Sequence, residues 1–208
     1  MGFGRVEMAY HLMTQDCGIE MTECRLLEEN GRAHFMTRRF DRPTGKEKLH
    51  VQSLYALQHY DFNDVTSYSY EQLFQAMRSL NLPYPQAEEL FRRMVFNVIA
   101  RNCDDHTKNF AFIMDNTGNW KLAPAFDMCH AYRPGSIRVS QQSLSVNGKR
   151  LNINHDDLVL VAKKMSIKKP KNIIGQINEV IKKWPEYAIQ TKVSDDLQDA
   201  IHKTLNIL

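Results

Sequence analysis

Apolar residues first recur at helical spacing, at Val6, Ala9, Tyr10 and Met13, with Gly18 following as a stop. A helix is therefore predicted over 5–16. The pattern then changes. CRLLEE and RAHFMTRRF flank Asn30-Gly31, and Asn-Gly between two such runs signals a hairpin, with strands near 22–28 and 33–39. FDRPTGKEK is a loop broken by Pro43 and Gly45. From residue 51 the periodicity is helical again. VQSLYALQHY reads as one helix, and Ser69 can cap YEQLFQAMRSL. A long helix over 86–99 turns Leu90, Met94, Asn97 and Ile99 mostly inward. FAFIM and NWKLA flank Asp115-Asn116-Thr117-Gly118 as a second hairpin. Beyond Asp127 the pattern is irregular to about 150. Helices are predicted near 155–165, 171–184 and 194–206, headed by Asn154 or His155 in the first case and by Ser194 in the last. A helix and hairpin followed by a helical body with its own hairpin is an α+β arrangement, predominantly helical.

Composition narrows the class. A chain of 208 residues makes one domain, or one plus a small attachment, and can bury a proper core. The 43% apolar and 25% charged fractions suit a soluble protein. A net charge of +3 is too small to imply a nucleic-acid partner by itself. Cys17, Cys24, Cys103 and Cys129 form no CxxC pair, which argues against a zinc site or a disulfide framework. Reduced thiols in a cytoplasmic protein are the expectation. No apolar run approaches the ~20 residues of a membrane span, and the N-terminus lacks a secretory pattern.

Candidate chemistry concentrates in NCDDHTKNFAF, 102–112. The segment could be a turn, a metal site or a catalytic loop. Asp104 and Asn109 lie five residues apart where the chain leaves a helix. The hairpin that follows folds back and should return Asp127 to the same place. Two oxygen ligands, Asn109 and Asp127, with Asp104 beside them, suit Mg²⁺, which borrows further ligands from nucleotide phosphates. The free carboxylate can accept a proton from an attacking hydroxyl, as in phosphoryl transfer by protein kinases. Two readings compete. One is an Asx-rich turn closing the helix, with Asp127 capping a turn of its own. The other is a phosphohydrolase built on Asp104, Asp105 and His106, which would want more His and Asp ligands from other segments.

The run N-x-D-D-H-x-K-N-F-A-F, followed by LAPAFD, resembles the catalytic core of the HipA-type serine/threonine kinases, the toxins of bacterial toxin–antitoxin modules. HFMTRRFDR (34–42) resembles the family's hinge, usually ERFDR. LHVQSLYALQ (49–58) and LSVNGKRLNINHDDL (144–158) resemble further family segments, in collinear order over roughly 5–165. The resemblance implies a remnant of the kinase N-lobe and hinge over 1–42 and a helical C-terminal lobe over 43–208. It implies that Asp104 is the general base, that Lys108 offsets phosphate charge, and that Asn109 and Asp127 hold Mg²⁺. The backbone at Arg39 and Phe40 should lie against the adenine of ATP, with Asp41 toward the ribose. His106 belongs to the nucleotide side and props the loop by hydrogen bonding, and Asp105 caps or orients the turn. Implied partners are ATP, a protein with a Ser or Thr acceptor and a helix-turn-helix antitoxin, through which any DNA contact would run. No membrane is implied.

Departures matter too. A kinase of this type needs a glycine-rich loop and a strand lysine before the first helix. Only four residues precede that helix, and the first lysine is Lys46. Gly2-Phe3-Gly4 is a lone GxG with no strand before it. Arg38 stands where the family often has Glu, and Glu7 has no lysine to pair with. The expectation is therefore a C-lobe with the last part of an N-lobe, slow or inactive alone. It would be a gene fragment, one half of a split kinase completed by a separate N-lobe polypeptide, or a non-catalytic module that binds an antitoxin or another protein. The arginines Arg38, Arg39 and Arg42 are a solvated hairpin end or a phosphate clamp. The five lysines of 162–172 read as a solvated loop.

Overall fold

Helix α1 (Phe3–Asp16) buries the predicted stripe of Val6, Ala9, Tyr10 and Met13, with His11 and Thr14 beside it. It ends at Gly18, whose φ of +70° suits the left-handed turn that returns the Ile19 amide to the Thr14 carbonyl at 3.0 Å. The computed structural model describes residues 2–61, 64 and 67–208. Strands β1 (Cys24–Glu29) and β2 (Arg32–Thr37) pair antiparallel about Asn30-Gly31, both at positive φ as a tight hairpin turn requires. Leu26 and Phe35, opposite each other in register, are half-buried between the sheet and α1. Gly2-Phe3-Gly4 serves packing here: a Cβ at Gly4 would stand 2.4 Å from the Ala33 carbonyl oxygen on β2. Gly4→Ala should therefore push α1 off the hairpin and destabilise the fold by about 1–3 kcal/mol, read as a lowered urea midpoint at unchanged slope.

The predicted helix over 51–60 needs correcting. Residues His50–Ser53 form strand β3, and only Leu54–Leu57 is helical, as a single turn α2 capped by Ser53. β3 pairs antiparallel with β4 (Ala111–Met114), which pairs with β5 (Trp120–Leu122), giving the order β3-β4-β5. A short apolar run takes its state from its partner, and β4 lies far along the chain. Helix α3 (Tyr70–Ser79) carries a full capping box between Ser69 and Gln72. Helix α4 (Tyr84–Ile99) starts two residues before its predicted position, with Pro85 in the first turn. Asn154 caps α5 (His155–Met165) in a second capping box, with Asp157. The predicted helix over 171–184 is α6 (Pro170–Lys182), and a separate helix α7 (Trp184–Gln190) follows it unannounced. Helix α8 (Asp195–His202) is shorter than predicted. Ser194 sits at its N-cap position with no side-chain cap bond.

One core joins these pieces. Trp184 is fully buried, stands edge-on to Tyr10 at 5.5 Å, and donates its indole N–H to the Gln198 carbonyl at 3.0 Å. Helix α1 is thereby welded to the C-terminal helices. A smaller apolar cluster beneath β4 joins Ala111, Ile113 and Ala123 to Phe40, Leu49, Val51 and Phe126. It lies between the hinge segment and the residues that follow β5. The cysteines are free thiols. Among the described residues no helix is long and apolar enough to cross a membrane.

Candidate active site

Helix α4 stops at Ala100, and Arg101 takes a left-handed φ of +57° that turns the chain out of the helix. The segment after it is fixed by a buried polar network. The Asn97 amide donates to the Tyr70 hydroxyl at 3.0 Å, and that hydroxyl donates to Asp105 Oδ2 at 2.7 Å. Asp105 is 1% exposed and also accepts from Gln142 Nε2 at 3.0 Å and from the Ser143 and Leu144 amides at 2.7 and 3.4 Å. Burial pushes its carboxyl up to about 6 against the pull of these donors. Asp105 therefore does more than orient the turn: it ties α3, the catalytic-looking loop and residues 142–144 together. No sequence signal marks this role, because its partners lie 35 to 39 residues away.

With Asp105 turned inward, Asp104 turns outward, since neighbouring side chains on an extended segment alternate. Asn109 is held in place twice. Its Nδ2 donates to the Asp104 carbonyl at 2.9 Å and to Asp127 Oδ2 at 2.9 Å. Asp127 arrives from β5 in a left-handed conformation (φ +57°), and its backbone carbonyl accepts from Asn102 Nδ2 at 3.3 Å. The structure thus brings Asp104, Asn109 and Asp127 into one exposed corner although they are spread over 24 positions of the chain. Burial pushes the Asp104 carboxyl above the ordinary range, and the Asp127 charge pushes the same way, while His106 and Arg138 pull it down.

His106 Nε2 lies 3.8 Å from Asp104 Oδ1, and its Nδ1 accepts from the Lys108 amide at 3.3 Å. The ring braces the loop. The Lys108 ammonium stands over the Tyr55 ring, 5.1 Å from its centre, on the same side of the loop as α2. In the hinge, Phe40 packs on Phe126 with ring centres 5.7 Å apart, next to Asp127. The Asp41 carboxylate accepts from Arg39 at 2.8 and 2.7 Å and from Arg42 at 2.6 Å, so it is held by both arginines. These contacts keep the Asp41 carboxyl below its usual range, the bond from Arg39 foremost.

Glu7 of α1 and Asp127 line one cavity of about 230 Å³, together with Phe35, Thr37, Phe126 and Cys129. Burial pushes the Glu7 carboxyl up, and the Asp127 charge adds to it. Among the described residues Glu7 has no cationic partner, and no three His, Cys, Asp or Glu side chains converge as a metal cluster. The donor set at the corner is instead one amide oxygen and two carboxylates. Both of the Asn109 side-chain hydrogen bonds are made by Nδ2, so neither uses Oδ1. Hard, partly anionic oxygens of this number fit a magnesium ion that keeps its waters and takes phosphate oxygens. The Asp127 charge that raises the proton affinity of Asp104 would be offset by a cation between the two side chains. Chemically, the corner can hold a polyanion through a divalent cation, stack an aromatic base near Phe40 and Phe126, and accept a proton at Asp104.

The HipA-like C-terminal domain family model matches residues 2–184. No curated protein matches the sequence. Among solved structures, HipA from the Shewanella oneidensis MR-1 toxin–antitoxin complex of HipA, HipB and operator DNA superposes with a TM-score of 0.74 at 14% identity, over 97% of this chain and 53% of that one. A Helicobacter pylori proinflammatory kinase, CtkA, superposes with a TM-score of 0.60, also at 14% identity, over 97% of this chain and 81% of that one. At this identity the likeness is one of fold. The chain spans about half the length of the HipA protein it matches.

Proposed function

The chain belongs to the HipA-like C-terminal domain family, and on that premise we propose that it is the catalytic half of an ATP-dependent serine/threonine protein kinase. The observation that carries this reading is the Asn109–Asp127 contact beside Asp104. Asn109 Oδ1 and the Asp127 carboxylate would hold Mg²⁺, which when bound neutralises charge on the nucleotide phosphates. Asp104 takes the proton of the acceptor Ser or Thr hydroxyl as its oxygen bonds to the γ-phosphorus, and the γ-phosphorus–oxygen bond to ADP breaks. Lys108 offsets negative charge from the rim of the loop, and His106 holds Asp104 and Lys108 in register. The adenine lies at the Arg39–Phe40 backbone, against the Phe40–Phe126 pair, with Asp41 on the ribose side. A DNA-binding antitoxin is the partner proposed by analogy with the neighbour that is recorded with HipB and operator DNA. Residues 1–42 form the nucleotide-side remnant in this scheme and 43–208 the main lobe.

One observation favours a second reading, a kinase-like module without catalysis. Glu7, which faces the same cavity as Asp127, pairs with no cation among the described residues. In the first reading its ammonium comes from a separate N-lobe segment. Titration calorimetry separates the parts of the site. The wild-type chain should bind ATP in MgCl₂, and Asp127→Ala should weaken that binding at least tenfold. Equal heats and equal affinity for the two proteins would remove Asp127 from the site and the kinase reading with it.

A further inference from the structure

Residues 132–141 leave and re-enter the fold against the residues that immediately precede Asp104. At one foot the Ala131 amide donates to the Arg101 carbonyl at 3.0 Å, and the Cys103 amide donates to the Ala131 carbonyl at 3.0 Å. At the other foot Gln142 Nε2 donates to the Asn102 carbonyl at 3.1 Å, and the Ser143 hydroxyl donates to the Cys103 carbonyl at 2.9 Å. Between the feet the loop closes on itself. The Arg133 amide donates to the Val139 carbonyl at 3.1 Å, and Ser136 Oγ accepts from the Arg138 and Val139 amides, both at 3.3 Å. This ordered tip presents Ile137 to solvent with 99% of its surface exposed, between the exposed Arg133 and Arg138.

A single exposed apolar residue is ordinary on a protein surface. An isoleucine held outward on a self-bonded turn, on a loop whose two feet bond the backbone of residues 101–103 just before Asp104, is a different case. The charge carried by the segment itself is one-sided as well. Residues 128–155 contain no Asp or Glu, while they carry Arg133, Arg138, Lys149 and Arg150. Lys149 is committed to Asp157 at 2.9 Å, and Arg150 to backbone carbonyls of Tyr68, Gln142 and Ser143. The two arginines of the tip therefore define its character, basic with an apolar centre.

We propose that the 132–141 loop is the docking element for the phosphoryl acceptor, and that it selects a polypeptide segment in which an apolar side chain is flanked by acidic residues. Ile137 meets the apolar side chain and Arg133 and Arg138 meet the carboxylates, which sets the acceptor hydroxyl over Asp104. The inference deepens the kinase reading and rests on it for the word acceptor; the recognition itself does not depend on nucleotide. Ile137, Arg133 and Arg138 are positioning residues and touch no reacting atom.

The test is a selection of random twelve-residue peptides displayed on phage against the immobilised wild-type chain. A parallel selection uses Ile137→Asp/Arg138→Glu. Peptides recovered on the wild type should be enriched in Asp or Glu around a Leu, Ile, Val or Phe. A synthetic copy of the leading sequence should bind at least tenfold more weakly to the double variant and lose affinity with added salt. Because both residues are exposed, the variant should unfold at the wild-type temperature and bind ATP and Mg²⁺ unchanged. Recovery of basic peptides, recovery of single-stranded nucleic acid in place of acidic peptide in a matched competition, equal binding by the variant, or no recovery above background would each overturn the proposal. Loop-dependent peptide binding by a chain that fails to bind ATP would leave the docking surface standing and sink the kinase reading alone.

Discussion

Asp105→Ala should be among the most damaging substitutions in the molecule, lowering stability by about 3–5 kcal/mol. The change strands the Tyr70 hydroxyl, the Gln142 amide and the Ser143 amide in a buried place, and each unsatisfied donor costs ~1–3 kcal/mol, not additively. For a chain of this size that corresponds to a midpoint lowered by roughly 10 °C in a thermal melt. The pH dependence has a definite sign. The Asp105 carboxyl titrates near 6 in the fold and near ~3.9 in the unfolded chain. Between those values the folded state holds the extra proton, so the group's contribution is full below the lower value and is lost as pH rises through the upper one. Its size is about 3 kcal/mol for a shift of this order. The wild type should therefore lose more stability than Asp105→Asn between pH 4 and pH 6.5, and the two curves should run parallel above that. A wild-type curve parallel to the variant's over the whole range would show that this carboxyl does not titrate there.

The roles of the two neighbouring aspartates could not be told apart from the sequence. Asp104 and Asp105 carry the same side chain, and what separates them is a burial decided by Tyr70, Gln142 and Ser143, none of which is near in the chain. The convergence of Asn109 and Asp127 was legible for a physical reason. A tight hairpin at 110–122 must bring its two ends together, whatever the rest of the fold does. The capping boxes at Ser69 and Asn154 and the Asn-Gly turn were legible in the same way, because each is closed by residues within four positions. Strand β3 was not, since VQS becomes a strand only against β4. Helix α7 was missed because Trp184-Pro185 reads as an end, whereas proline is at home in a first turn. The hinge shows the limit of resemblance. RRFDR was recognisable, but the motif does not say that Arg39 and Arg42, both at positions that match the family's usual residues, hold the Asp41 carboxylate.

In an assembly that turns over, Asp104→Asn should lower kcat by about 10²–10⁴-fold, the usual worth of a positioned general base. The asparagine keeps the backbone carbonyl that holds Asn109 Nδ2, so the Asn109–Asp127 pair stays in place and the affinity for Mg·ATP should change by no more than about twofold. That split, kcat against nucleotide binding, separates a proton acceptor from a ligand or a scaffold residue. The pH profile adds an independent readout. Burial and the Asp127 charge hold the Asp104 carboxyl above the ordinary carboxylate range, and a general base acts only when ionised. The wild-type rate should therefore fall on the acid side with a midpoint above that of an exposed carboxylate, and it should be flat above the midpoint. Asp104→Asn should lack this limb, because an amide does not titrate. The Asp127 charge is one cause of the raised value, so any cation at Asp127 draws the midpoint down, and the limb should move to lower pH as MgCl₂ is raised. A variant with wild-type kcat, or one whose acid limb survives unchanged, would take the base role away from Asp104 and leave it a loop residue beside the Asn109–Asp127 pair.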